Sequence, residues 1–297
     1  NSSVAVYQDA DGYATDYALA WSVAIGSPVT FFTTMKQEVV SDLTGERAML
    51  LGGLWGLSEA LYAHFSRSIS EEDAFLLSAK GLTSTVTKLI SRHGLRGIYQ
   101  MLNSDCQQSF RFGYVTGYTP AHELISHIYA NVACWDEIRD VVDSTAKLKE
   151  NPMSSIENSP MWAVGRDLYG EDVPMSHELA FAAGMYVAGV MAGITVLVKN
   201  GHSLSEAINE QLVEAVDSLT PFMDKAGVGR MVDGCSTTAR LGARKWGPQF
   251  EKAFLNAIDG PPAYDADAIW TEFMESPIHG DVAKLFTFRP PVQLIVD

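Results

Sequence analysis

Residues 179–198 read LAFAAGMYVAGVMAGITVLV, twenty consecutive residues without a charge. That is about the length a bilayer core needs, and the stretch contains Gly189-x-x-x-Gly193, a spacing that lets helix backbones approach closely. No basic flank marks one side, and no second segment of this kind occurs. The stretch therefore reads as a helix buried on every side in a large helical protein, its small residues turned to its neighbours. Such a helix must be surrounded by others. The fold class that follows is all-α.

Working outward, helical periodicity dominates from Asp16 onward and alternating strand patterns are scarce. Helices are expected over 45–65, 70–93, 121–149, 178–200, 203–225 and 247–259. Ser70-Glu71-Glu72-Asp73 and the capping box Ser203-x-x-Glu206 mark N-terminal ends, and Gly94 and Gly227 mark stops. Pro28 divides the apolar stretch 17–34, and loop composition gathers at 151–160 and 260–262. With 47% hydrophobic and 19% charged residues in 297, the chain has material for a full core, which excludes disorder and small stapled scaffolds. Acids outnumber bases 36 to 21, for a net charge of −15. That balance argues against non-specific nucleic-acid or anionic-membrane binding and suits cation binding. Cys106, Cys134 and Cys235 are too scattered for a disulfide framework, so a reducing compartment is expected. The chain opens on Asn1 with no basic-then-apolar leader, so any targeting segment or upstream domain is expected to have gone already.

An internal repeat is visible. His93-Gly94-Leu95 and Cys106-(x)6-Gly113 echo Ala226-Gly227-Val228 and Cys235-(x)6-Gly242, while Ser68-Ile69-Ser70-Glu71 echoes Ser203-Leu204-Ser205-Glu206, at offsets of 129 to 135 residues. Two copies of one helical unit, packed face to face around a shared site, are the expectation.

Two carboxylate pairs stand at helical spacing. Asp42 and Glu46 are i,i+4 with Glu38 a turn back; Glu210 and Glu214 repeat the pattern with Glu206 a turn back. Side chains so spaced project from one face, and acids from two facing helices could hold a pair of hard cations such as Mg²⁺. For the second helix the pattern alone favours an ordinary solvated face and needs no metal, because Ile208, Leu212 and Leu219 form an apolar stripe roughly opposite the acids. The first differs: from Ala48 to Leu57 it has no polar face, so the acids at its start enter the interior, where carboxylates need a partner. Other motifs fail. His122 and His127 are five apart, not the four a zincin helix requires, and no Gly-rich phosphate cradle occurs.

The stretch Cys235-Ser236-Thr237-Thr238-Ala239-Arg240-Leu241-Gly242-Ala243-Arg244-Lys245-Trp246, together with Ser41-Asp42-x-x-Gly45-Glu46-Arg47-x-x-Leu50-Leu51-Gly52 and Asn209-Glu210-x-x-x-Glu214-Ala215-Val216-Asp217-Ser218-Leu219-x-Pro221-Phe222-Met223, resembles plant-type, long-form (class II) ketol-acid reductoisomerase. Asn1-Ser2-Ser3 and Arg289-Pro290-Pro291-Val292 fit as well, and departures are confined to 151–175 and the segment after Phe250. The resemblance implies a duplicated helical unit forming one knotted domain, with repeats over roughly 38–150 and 176–290. Residues 1–16 would be a linker after a Rossmann domain that this chain lacks, and 17–297 the metal- and substrate-binding domain. It implies Mg²⁺-dependent alkyl migration in 2-acetolactate or 2-aceto-2-hydroxybutyrate, then reduction by NADPH, on the route to branched-chain amino acids. Asp42, Glu46, Glu210 and Glu214 match the carboxylates for two Mg²⁺ ions and the substrate; Glu46, Glu214 and Ser236 would be catalytic, and Ser236 and Glu214 would touch the substrate. Leu50, Leu51 and Leu219 match its apolar wall, and Glu38 an acid behind the ligands. Read without the resemblance, Ser236 is a helix cap and the leucines are plain core.

No cofactor-binding residue for NADPH is expected in this chain, which would need its N-terminal domain or a separate chain as partner and form a homo-oligomer or a subunit of a larger assembly. No nucleic acid and no membrane span are expected. The plastid stroma is the implied compartment, the mitochondrial matrix the alternative. The competing function is a non-catalytic helical scaffold or accessory subunit derived from the same domain.

Overall fold

Thr34, Ser70, Asn103, Ser176, Ser203 and Ser236 each accept a hydrogen bond from the backbone N–H three residues on, and a helix starts at each. The protein, seen in a computed structural model, is described over residues 1–168, 170, 173–263 and 265–289. Pro290–Val292 of the matching close, and the far end of the second repeat, lie outside the described residues. Strand β1 (Ser2–Val4) pairs in parallel with β2 (Thr30–Phe32), joined through helix α1 (Ala14–Ala24). The rest is helical, as the sequence requires: α2 (Met35–Arg47), α3 (Gly52–Phe65), α4 (Glu71–Phe75), α5 (Thr87–Met101), α6 (Ser104–Ala133), α7 (Asp136–Lys147), α8 (Pro160–Gly165), α9 (His177–Lys199), α10 (Leu204–Ile208), α11 (Thr220–Ala226), α12 (Val228–Gly234), α13 (Thr237–Asp259), α14 (Ala266–Glu275) and α15 (Ile278–Phe286).

The repeat is real and its register is 133 residues. α4 recurs as α10, and the π-helical turns Leu76–Lys80 and Leu82–Val86 recur as Asn209–Val213 and Ala215–Leu219. Gly94 (φ 75°) recurs as Gly227 (φ 90°), the caps Asn103 and Ser236 coincide, and α6 recurs as α13. Gly94 and Gly227 each place a left-handed residue in mid-path, which only glycine adopts without strain. In this register Ser70 answers Ser203, so the Ser68 echo is two residues out. The Cys106–Gly113 echo of Cys235–Gly242 is one helical turn out of register, a coincidence of composition.

Each copy packs its long helix on the other. α6 lies along α9 and α13 lies along α3, the two most extensive helix contacts. Their approach is close: a Cβ on Gly113 would stand 2.0 Å from the Phe181 carbonyl oxygen, and one on Gly56 2.3 Å from that of Gly247. α9 is buried along nearly its whole length, and among the described residues it is the one helix long and apolar enough to cross a membrane. Its Gly189 and Gly193 admit side chains, Met49 and Gln211, while the backbone approach occurs at Gly184, whose Cβ would meet the Phe110 carbonyl oxygen at 2.1 Å.

Several expected boundaries move. The helix expected over 45–65 starts at Met35 and breaks between Arg47 and Gly52, where Ala48 (ψ −134°) and Leu51 (φ −135°) leave helical geometry. A Cβ on Gly52 would lie 2.6 Å from the Arg47 carbonyl oxygen, so the glycine permits the crossing. The helix expected over 70–93 resumes after Gly94 and reaches Met101. The one expected over 121–149 begins at Ser104, accommodates Pro120, and breaks at Trp135, which is left-handed (φ 69°). The one expected over 247–259 begins at Thr237 and runs through Pro248. Long helices with an internal proline survive here because packing outweighs one lost hydrogen bond.

Candidate metal centre

α2 carries Glu38, Asp42 and Glu46 along one face, and the segment from α10 through the two π-helical turns carries Glu206, Glu210 and Glu214. Gly45 lets these segments meet: a Cβ there would stand 3.1 Å from the Glu210 carbonyl oxygen and 2.9 Å from Leu50 Cδ1. As a result the carboxylates of Asp42, Glu210 and Glu214, 168 residues apart in sequence at their first members, lie within 4.8 Å of one another. The solvated-face alternative for the second helix fails. Glu206 is 1% exposed and Glu210 4%, because α2 covers that face.

Glu206 takes a different part from its neighbours. Its carboxylate accepts from Ser41 Oγ (2.8 Å) and His202 Nδ1 (3.1 Å), and His202 Nε2 lies 3.0 Å from the Tyr129 hydroxyl. Burial raises its pKa, but the hydrogen bonds from His202 and Ser41 outweigh that and hold it below the usual range. Glu206 is thus a clasp fastening α2 to α10, and only half of the expected capping box forms: Ser203 caps the helix while the acid is used elsewhere.

The remaining acids lack such support. Burial, reinforced by Asp42, pushes Glu46 up to about 7 against the pull of Arg47. Burial lifts Glu210 to about 8 despite a hydrogen bond from Asn209, with Glu214, Glu38 and Asp42 adding repulsion. Burial and then Asp42, Glu46 and Glu38 lift Glu214 to about 7. Glu38 and Asp42 are raised chiefly by burial, and among the described residues Glu38 Oε2, which is buried, has no hydrogen-bond partner. Among the described residues no cationic side chain forms an ion pair with Asp42, Glu210 or Glu214; Glu46 alone has one, from Arg47 Nη1 at 3.2 Å. Crowded all-oxygen donors with raised pKa values and an orphaned carboxylate oxygen fit a hard divalent cation.

The repeat underlines this. At 133 residues from Glu210, Glu214, Asp42 and Glu46 stand Leu77, Gly81, Met175 and Leu179. There Leu179 Cδ1 occupies the place beside Gly81, 2.6 Å from where its Cβ would be. One face of the duplicated unit is filled by apolar packing; the other holds the acids.

Ser236 caps α13, accepting from Ala239 N at 3.1 Å, and is exposed. Its neighbour Cys235 has its thiol pKa raised by burial and then by Glu46 and Glu214, which puts the start of α13 beside the acids. Leu50 and Leu51 are buried (1% and 2% exposed), while Leu219 is half-buried. His122 and His127 sit on α6 as ordinary helix residues, His127 edge-on to Trp246. Sequence reasoning missed the roles of Ser41, His202 and Tyr129; the local signals were that Ser41 directly precedes Asp42 and that His202 stands i,i+4 to Glu206, while Ser41 and Tyr129 meet this group from remote segments.

A family model described as "Ketol-acid reductoisomerase, C-terminal domain" matches residues 35–172 and 175–259. The chloroplastic ketol-acid reductoisomerase of Spinacia oleracea is 41% identical over 311 aligned residues, covering 100% of this chain and 52% of that protein. That of Pisum sativum is 40% identical, covering 100% and 53%. A probable mitochondrial ketol-acid reductoisomerase of Schizosaccharomyces pombe is 32% identical over 56% of this chain and 42% of its own length. The chain spans about half the length of the curated plant relatives it matches. From the acid-bearing α2 to the end of α13, this chain belongs to the C-terminal domain family of ketol-acid reductoisomerases.

Proposed function

We propose that this chain is the metal- and substrate-binding half of a ketol-acid reductoisomerase acting on 2-acetolactate or 2-aceto-2-hydroxybutyrate, and that NADPH is bound by an N-terminal Rossmann domain, in the same polypeptide or in another. The observation that carries the reading is the convergence of Asp42, Glu210 and Glu214 within 4.8 Å in a partly buried cleft. Asp42, Glu46, Glu210 and Glu214 would hold two Mg²⁺ ions, with Glu38 behind them. When bound, the ions would polarise the ketone and hydroxyl oxygens and stabilise developing negative charge. The chain's own groups do the rest. Glu46 and Glu214, raised to about 7 without metal, would give up their protons on binding the ions, and a carboxylate oxygen of either left free of metal could accept a hydrogen bond from a substrate hydroxyl. Ser236 Oγ keeps its O–H free to donate while it accepts from Ala239 N, so it can orient a substrate oxygen. Leu50, Leu51 and Leu219 would exclude water from the migrating alkyl group.

The N-terminal unit suits this dependence. Parallel strands are ordinarily covered on both faces, yet β1 and β2 form a sheet of two, and Tyr13, Tyr17 and Trp21 make an exposed i,i+4,i+8 stripe along α1 (57, 57 and 71% exposed). A parallel sheet edge with an aromatic stripe beside it is where an α/β domain would dock. The reciprocal exchange of α6 and α13 supports a knotted path for the chain. A plastid stromal location is proposed from the chloroplastic plant relatives, with the mitochondrial matrix second.

Thermal melting with and without Mg²⁺ tests the metal reading. A cation that binds only the folded form stabilises it by RT ln(1 + [L]/Kd), about 2.7 kcal/mol at a hundredfold excess. The wild type should melt higher in Mg²⁺. Asp42→Asn and Glu210→Gln should lose most of that gain while melting as high or higher without metal. An unchanged wild-type melt at millimolar Mg²⁺ would overturn the reading in favour of a non-catalytic scaffold.

A further inference from the structure

Four residues of the 235–246 motif have no part in the proposed reaction, yet they meet at one point. Arg47 is completely buried. Its Nε donates to Glu137 Oε1 (2.9 Å), its Nη2 to Thr238 Oγ1 (3.0 Å), and its Nη1 to Glu46 Oε2 (3.2 Å) and the Leu43 carbonyl oxygen (3.3 Å). Gly242 makes the space, since a Cβ there would lie 2.8 Å from Arg47 Cζ. Glu137, 1% exposed, also accepts from Trp246 Nε1 (3.1 Å) and Lys245 Nζ (2.6 Å). It reaches this interior position because the left-handed Trp135 ends α6 and turns α7 inward. Arg47 therefore has two carboxylate partners, and one of them, Glu46, stands beside the acid cluster.

We propose that Glu137 is a positioning residue for the metal centre: by holding the Arg47 guanidinium from the far side, it allows Glu46 to turn from Arg47 to a second divalent cation. Without Glu137, Arg47 has Glu46 as its remaining carboxylate and retains it. Thr238, Gly242, Lys245 and Trp246 form the box in which this division of partners is kept. The inference rests on the reading of Glu46 as a metal ligand.

The test counts Mn²⁺ ions bound to the full chain by calorimetry and electron paramagnetic resonance, at fixed pH. The wild type should bind two. Glu137→Gln should weaken the second by about 10–100-fold, the usual effect of losing a group that orients a ligand, and leave the first unchanged. Removing the competing cation as well, in Arg47→Met/Glu137→Gln, should restore the second, a rescue no general loss of packing would give. Thr238→Val, a milder change, should weaken the second ion in the same direction and serves if Glu137→Gln does not fold. Equal weakening of both ions, no weakening, or no rescue would overturn the positioning role. Failure of the wild type to bind two ions would instead overturn the metal reading itself.

Discussion

At the scale of single residues, the acid cluster is held against both burial and mutual repulsion, which a bound cation would relieve. Glu210 is raised to about 8, and Glu46 and Glu214 to about 7, by burial first and by their acidic neighbours next. In the unfolded chain these groups return to the ordinary glutamate value of 4.5, so between that pH and about 8 the folded protein binds more protons than the unfolded one. The stability they contribute is then complete below pH 4.5 and lost as pH rises through 7 to 8. Denaturant unfolding of the metal-free protein should show stability falling over this window. Glu210→Gln should flatten the slope, and saturating Mg²⁺ should abolish it; a stability that rose with pH there would contradict the account. The sequence showed which acids share a face, but not that Glu206 would be set apart. Its hydrogen bonds come from Ser41 and His202, the latter held by Tyr129; His202 stands i,i+4 to it, but no local pattern joins it to Ser41 or Tyr129.

At the scale of elements, the decisive contacts are between long helices whose backbones nearly touch. Gly113 of α6 faces Phe181 of α9, and Gly184 of α9 faces Phe110 of α6, each with room for no more than a hydrogen. Gly113→Ala or Gly184→Ala should cost about 1–3 kcal/mol by overpacking. A Cβ added to Gly280, on α15, would meet nothing within 4 Å, so Gly280→Ala should gain up to about 1 kcal/mol from helix propensity. Chemical denaturation of the three variants checks this, and equal effects would refute it. Periodicity located most helices but misjudged their ends. Arg47 to Gly52 reads as continuous helix because nothing there is a strong breaker; the break falls where α13 crosses the junction of α2 and α3, Gly242 against Arg47 and Gly52 against Ala243.

At the scale of the whole molecule, a helical body with its own core carries a small parallel β-α-β unit whose aromatic face stays exposed among the described residues. Trp21 is 71% exposed, and Tyr17 lies one turn away. If this face receives an N-terminal domain, Trp21→Ala should leave the melting temperature within a few degrees while weakening association with a recombinant N-terminal half of the spinach relative by tenfold or more, as loss of an aromatic anchor does. Analytical ultracentrifugation of the mixture reads this directly, and unaltered association would place the docking surface elsewhere.

The sequence by itself determined the helical class, the capped starts at Ser70 and Ser203, the turns at Gly94 and Gly227, the buried α9 and the two rows of acids. These rest on short-range rules: side-chain spacing, capping oxygens and the freedom of glycine act within a few residues. Tertiary structure alone decided that α6 would lie on α9 and α13 on α3, that the acids would face each other, and that Glu137 would share Arg47 with Glu46. Those outcomes depend on close approach between segments about 70 to 190 residues apart in the chain, where the fit of two surfaces and the cost of burying an unpaired charge decide the partner.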